Sequence, residues 1–85
     1  MRIEPGCPVK SLAGHDKGCC YVVLAEEGDR VLLADGRIRT VHAPKRKNRK
    51  HIQAAGQPLP LGNPITDEAI RRELKNYLRG REQEA

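Results

Sequence analysis

Cys19-Cys20-Tyr21-Val22-Val23-Leu24-Ala25 is the strongest strand signal in the chain. It is apolar on both faces, the pattern of a strand in a closed barrel or a covered sheet. Outward from it, the chain reads as short strands separated by turns. Residues 7–12 (CPVKSL) predict a first strand, with Pro8 near its start, where a missing N–H is tolerated. Residues 13–18 are a loop, because Gly14, Asp16 and Gly18 are turn-type residues. Residues 26–29 (EEGD) turn the chain into a third strand at Val31-Leu32-Leu33-Ala34. Asp35-Gly36 reads as a two-residue hairpin turn. Arg37-Ile38-Arg39-Thr40-Val41 alternates polar and apolar and predicts a half-buried fourth strand. Residues 49–53 offer a short fifth. Four to five short strands in about fifty residues predict a mainly β fold, a small antiparallel barrel.

The expected domain plan is a barrel over residues 1–53, a Pro/Gly linker over 54–64, a C-terminal α-helix over 65–80 and a frayed tail over 81–85. The linker AAGQPLPLGNP holds three prolines and two glycines, which block regular structure. Thr66 is a suitable N-cap, and Asp67 and Glu68 complement the helix dipole. Ile65 and Ile70 are spaced for a hydrophobic staple. Ile70, Leu74, Tyr77 and Leu78 form one apolar stripe, so the helix should dock on the barrel or on a partner. Asp67–Arg71 and Glu68–Arg72 are spaced as i,i+4 ion pairs. Gly80 is the expected stop.

Eighty-five residues make one small domain with a modest core, and a large enclosed active site does not fit within it. Tyr21 and Tyr77 are the two aromatics, with no Trp or Phe, so the core must be aliphatic. No apolar run approaches the ~18–20 residues of a membrane helix, and the start, MRIEPGCPVK, lacks the apolar stretch of a signal peptide. The three cysteines include the adjacent Cys19 and Cys20, a poor disulfide framework that fits a reducing, cytoplasmic setting.

Sixteen Lys and Arg against eleven Asp and Glu give a net charge of +5. That charge is segregated: residues 1–36 carry −2, residues 37–51 carry +7 with no acid, and residues 52–85 carry 0. The run Pro44-Lys45-Arg46-Lys47-Asn48-Arg49-Lys50-His51 puts five cations in six residues, which repel one another unless an anion relieves them. An extended run of this kind can follow a nucleic-acid backbone, Arg bidentate and Lys as a point charge. The plain alternative is a solvated loop. A membrane-surface role is weaker, because a polybasic patch alone anchors poorly.

Residues 6–36, GCPVKSLAGHDKGCCYVVLAEEGDRVLLADG, resemble a KOW motif. Its central glycine would be Gly18, and AGHDKG followed by the apolar strand is its most specific part. With the spacing to VLLADGRIR, the basic run and the helix, residues 4–80 are similar to the single-KOW group related to the large-subunit ribosomal proteins of the fourteen-e type. The resemblance implies a Src-homology-3-like barrel that binds RNA, most often ribosomal RNA, with Gly14, Asp16, Lys17 and Gly18 matching the family's first loop. The chain departs at Cys19-Cys20, where the group commonly carries a basic residue.

The candidate RNA-binding residues are therefore His15, Lys17, Arg37, Arg39, Lys45, Arg46, Lys47, Arg49 and Lys50. Gly14, Asp16 and Gly18 are assigned to shaping the turn, Asp16 as a cap on local amides. Arg37 and Arg39 would share one face of the fourth strand. No Cys-x₂-Cys pair exists and adjacent strand residues face opposite ways, so no metal or other cofactor is expected, and the cysteines read as small buried hydrophobes. No phosphate loop, His-Glu-x-x-His or Gly-x-Ser-x-Gly occurs, and no enzymatic activity is expected. With so few aromatics, base stacking is poorly supplied, and recognition of RNA backbone and shape suits the surface better. The first expectation is thus a ribosomal or ribosome-associated RNA-binding protein. The second is a protein-interaction KOW module of the transcription or translation machinery, with the helix stripe or a barrel edge as the contact.

Overall fold

The computed structural model describes residues 3–84, with side chains described as far as Gly80. The chain forms β1 (Pro8–Ser11), β2 (Cys20–Glu27), β3 (Arg30–Ala34), β4 (Lys45–Asn48), a single 3₁₀ turn (Arg49–His51), β5 (Ile52–Ala54) and α1 (Asp67–Glu84). All strand pairs are antiparallel, in the order β4-β3-β2-β1-β5. Four strands meander, and the 3₁₀ turn then carries the chain back so that β5 pairs with β1 at the far edge. The mainly β architecture expected from the sequence, a small barrel-like sheet with one C-terminal helix, is the one found.

β2 organises the core because both of its faces are covered. Tyr21 and Val23 point inward and pack with Ile3, Val9, Val31, Leu33 and Ile52. Val22, between them, points outward and packs with Ala34, Leu61, Ala69, Ile70 and Leu74. Strand alternation therefore feeds one interior and one helix-covered exterior from three successive residues. A bulge falls between Val23 and Ala25, where β2 shifts register against β3, and it supplies the local bend that a curled sheet needs.

α1 lies on that outer face, and the first half of the helix stripe docks on the sheet: Ile70 and Leu74 are buried and not open to a partner, whereas Leu78 stays exposed. Thr66 Oγ1 accepts from the Ala69 amide at 3.2 Å, the N-cap expected. Thr66→Ala is expected to cost ~1 kcal/mol of stability, read from the denaturation midpoint. Ile65 packs in the same cluster as Ile70. The linker is not loose, because Leu61 is buried and Leu59 packs beside it.

Several expectations are corrected. Residues 37–41 form no strand; they are a loop held by the Asp35 carboxylate, whose Oδ1 accepts from the Arg37 amide at 2.9 Å and the Arg39 amide at 3.0 Å. Asp35-Gly36 therefore opens a wider loop rather than a tight hairpin. The fourth strand lies instead inside the basic run. Residues 49–51 form the 3₁₀ turn, and only from Ile52 does the fifth strand begin. The helix passes through Gly80, which lacks the positive φ a helix stop requires, and continues to Glu84. The frayed tail expected at 81–85 falls on residues whose side chains, and Ala85 entirely, lie outside the described residues. The two expected helix pairs do not form: Asp67 accepts from the Val41 amide, and Arg72 pairs with Glu73. Cys7 is buried as expected, but Cys19 is exposed and Cys20 half-buried.

Candidate nucleic-acid interface

The loop between β1 and β2 is built around Asp16. Gly14 and Gly18 both take positive φ, which lets the loop fold back on itself, with the Gly18 amide donating to the Ser11 carbonyl at 2.9 Å. This turns the Asp16 side chain inward, where it does not cap local amides. Its Oδ1 accepts from Ser11 Oγ at 2.8 Å and Lys47 Nζ at 3.0 Å, and its Oδ2 accepts from Tyr21 Oη at 3.0 Å and meets Lys45 Nζ at 3.0 Å. Burial alone would raise the Asp16 pKa. The hydrogen bonds from Lys47, Lys45, Ser11 and Tyr21 outweigh it and hold the carboxyl well below the usual carboxylate range. Burial, then the hydrogen bond to the Asp16 carboxylate, pushes the Tyr21 phenol well above its ordinary range.

The basic run is consequently far less free than its sequence implies. Lys47 sits opposite Val31 on β3, faces inward and is buried, so its charge addresses Asp16 and the Ala13 carbonyl, not solvent. Lys45 is half-buried against the same carboxylate. Arg46 pairs with Glu27 at 3.1 Å, and Arg49 pairs with Glu26. The register explains this: β3 lies between β2 and β4, and Glu26 and Glu27 at the end of β2 come level with Lys47 and Asn48 across it. Acids distant in sequence thus neutralise most of the run.

Among the described residues, Lys50 and Lys17 have no carboxylate partner and are exposed, as is His15. Arg37 and Arg39 are likewise exposed and unpaired, but on the loop, flanking Ile38, which is 84% exposed. This loop is clamped to the first two turns of α1. Arg71 Nη1 donates to the Gly36 carbonyl at 2.6 Å, and the Val41 amide donates to Asp67 Oδ1 at 2.9 Å.

The clamp creates a feature that the sequence reading missed. A groove of about 420 Å³ runs between the loop and the helix, lined by Asp35, Arg37, Arg71, Lys75, Arg79, Leu74, Leu78 and, on its floor, Cys20. Arg71, Lys75 and Arg79 are spaced i, i+4, i+8 and so form one stripe. That spacing was the available signal; the zero net charge of residues 52–85 hid it. Among the described residues, no group of three His, Cys, Asp or Glu is placed to hold a metal ion, and no helix is long and apolar enough to cross a membrane.

Fold and surface together define a small antiparallel β domain with a helix-covered outer face and a cationic groove along the helix edge. No protein-family model matches the chain, and no curated protein matches it.

Proposed function

We propose that this protein binds RNA through its phosphate backbone, in keeping with the KOW resemblance of its β1–β2 segment. The observation that carries the reading is the division of its charge. Acids of the fold are directed at Lys45, Lys47, Arg46 and Arg49, while Lys17, Lys50, Arg37 and Arg39 stay exposed and unpaired among the described residues. Unpaired cations on a pre-formed surface bind polyanions by releasing condensed counterions. Arg46 joins them, because an exposed ion pair such as Arg46–Glu27 is worth only ~0–1 kcal/mol and yields readily to a phosphate. His15 sits beside Lys17 on the exposed loop. Lys45 and Lys47 act indirectly, by fixing the loop that presents Lys17.

The proposed target is ribosomal RNA, in a reducing, cytoplasmic setting that keeps the three free cysteines reduced. The K17Q/R39Q/K50Q variant tests the reading, since all three side chains are exposed and none makes a hydrogen bond or ion pair among the described residues. Its affinity for an RNA stem-loop is expected to fall roughly 10–100-fold, and the slope of log affinity against log salt to flatten by roughly 2–3. Unchanged affinity and slope would sink the proposal. Sedimentation of a lysate tests the target: the protein should travel with large subunits at low salt and leave them at high salt.

A further inference from the structure

We propose that the groove between the 35–39 loop and α1 is a second RNA-binding element, which seats one strand of phosphodiester backbone along Arg71, Lys75 and Arg79. This rests on the RNA-binding reading above but uses different residues. Four cations line the groove against one carboxylate, that of Asp35. The carboxylate already accepts two backbone amides of its own loop. Among the described residues, Arg37, Lys75 and Arg79 make no ion pair, and Arg71 is held by a neutral carbonyl. Successive stripe positions rise roughly 6 Å along the helix, a step comparable to that between neighbouring phosphates of a nucleic-acid strand.

The groove is also pre-formed. The loop that supplies Arg37 is pinned at both ends to the helix that supplies the stripe, so little ordering is required on binding. Leu74 and Leu78 line the wall, and Leu78 remains 39% exposed. Of the two, the exposed Leu78 gives the sugar edges of a strand an apolar contact. A second groove, lined by Lys10, Gln53 and Tyr77, meets the first at Cys20 and Leu78 and extends the path across β1 to β5.

The test uses K75Q/R79Q in the full chain, since both side chains are exposed and neither makes a hydrogen bond or ion pair among the described residues. Affinity for a labelled RNA stem-loop is expected to fall about tenfold, with the salt slope reduced by roughly 2. Cys20 supplies a separate readout from the groove floor. In a C19S background, with Cys7 buried, saturating RNA should slow maleimide alkylation of Cys20 at least several-fold, and K75Q/R79Q should abolish that protection. If K17Q/R39Q/K50Q weakens binding while K75Q/R79Q leaves affinity, slope and Cys20 reactivity unchanged, the groove proposal fails and the RNA-binding reading stands. If the unaltered protein binds no RNA, both fail. If polyglutamate protects Cys20 as well as RNA does, the groove is a general anion surface and the assignment to phosphodiester backbone is overturned.

Discussion

Asp16→Asn is expected to destabilise the fold by about 3–5 kcal/mol, the usual consequence of removing one member of a buried charge cluster. The substitution leaves Lys47 buried and Lys45 half-buried beside each other with no anion between them. It also replaces one of the two acceptor oxygens by an NH2 donor, so the side chain can no longer accept from both Ser11 on β1 and Tyr21 on β2. Chemical denaturation would show the midpoint shift. The double variant D16N/K47M should regain part of the loss, because the stranded charge goes with its partner, and the non-additivity would report the coupling. Full additivity would show that the two groups do not sense each other.

The same carboxylate sets a pH dependence. Asp16 stays ionised in the fold to a far lower pH than in the unfolded chain, where its pKa is about 4. On acidification the unfolded chain takes up a proton first, so equilibrium moves toward it. The stability contributed by Asp16 is fully present above about pH 5 and is lost progressively as pH falls from there toward the lower folded-state value. In D16N this portion of the acid dependence should vanish.

Gly36→Val is expected to cost about 2–5 kcal/mol, from backbone strain and overpacking together. Gly36 has φ of 79°, a region that side chains with a Cβ rarely enter. An added Cβ would also stand 2.6 Å from the Asp67 carbonyl oxygen and 2.9 Å from Arg71 Cγ. The loop must then lift from α1, losing the Arg71 hydrogen bond and opening the groove. Gly80→Ala is the contrasting control: among the described residues nothing lies within 4 Å of the added methyl, and a helical glycine is replaced by a better helix former, a gain of ~1 kcal/mol. A small loss at position 36 would show that the loop is not clamped.

The contrast between the two glycines shows what was readable in advance. Residue type alone places Gly36 in a tight turn and Gly80 at a helix stop; Gly36 instead packs against α1, and Gly80 keeps a helical φ within a helix that runs on. β2 was legible because its residues are apolar on both faces, and the N-cap was legible because Thr66 acts on the helix it begins. β4 was not. Lys45-Arg46-Lys47-Asn48 contains no apolar residue, and its inward position is filled by a lysine whose counter-charge lies 31 residues earlier. Arg37–Val41 had the better alternation, yet Asp35 takes up its amides locally. The candidate site suffered the same limit. The exposed cations Lys17, Arg37, Arg39 and Lys50 could be named from sequence, but the neutralisation of Lys45, Lys47, Arg46 and Arg49 depends on strand register, which charge counting does not contain.

The position of α1 on the outside of β2 has a consequence for synthesis. Chains fold as they emerge, and the helix is made after every strand it covers. Until residues 61–74 leave the ribosome, Val22 and Ala34 face water on a sheet whose other side is already filled. The nascent domain therefore passes through an interval with a sticky flank, and ends it by supplying its own lid.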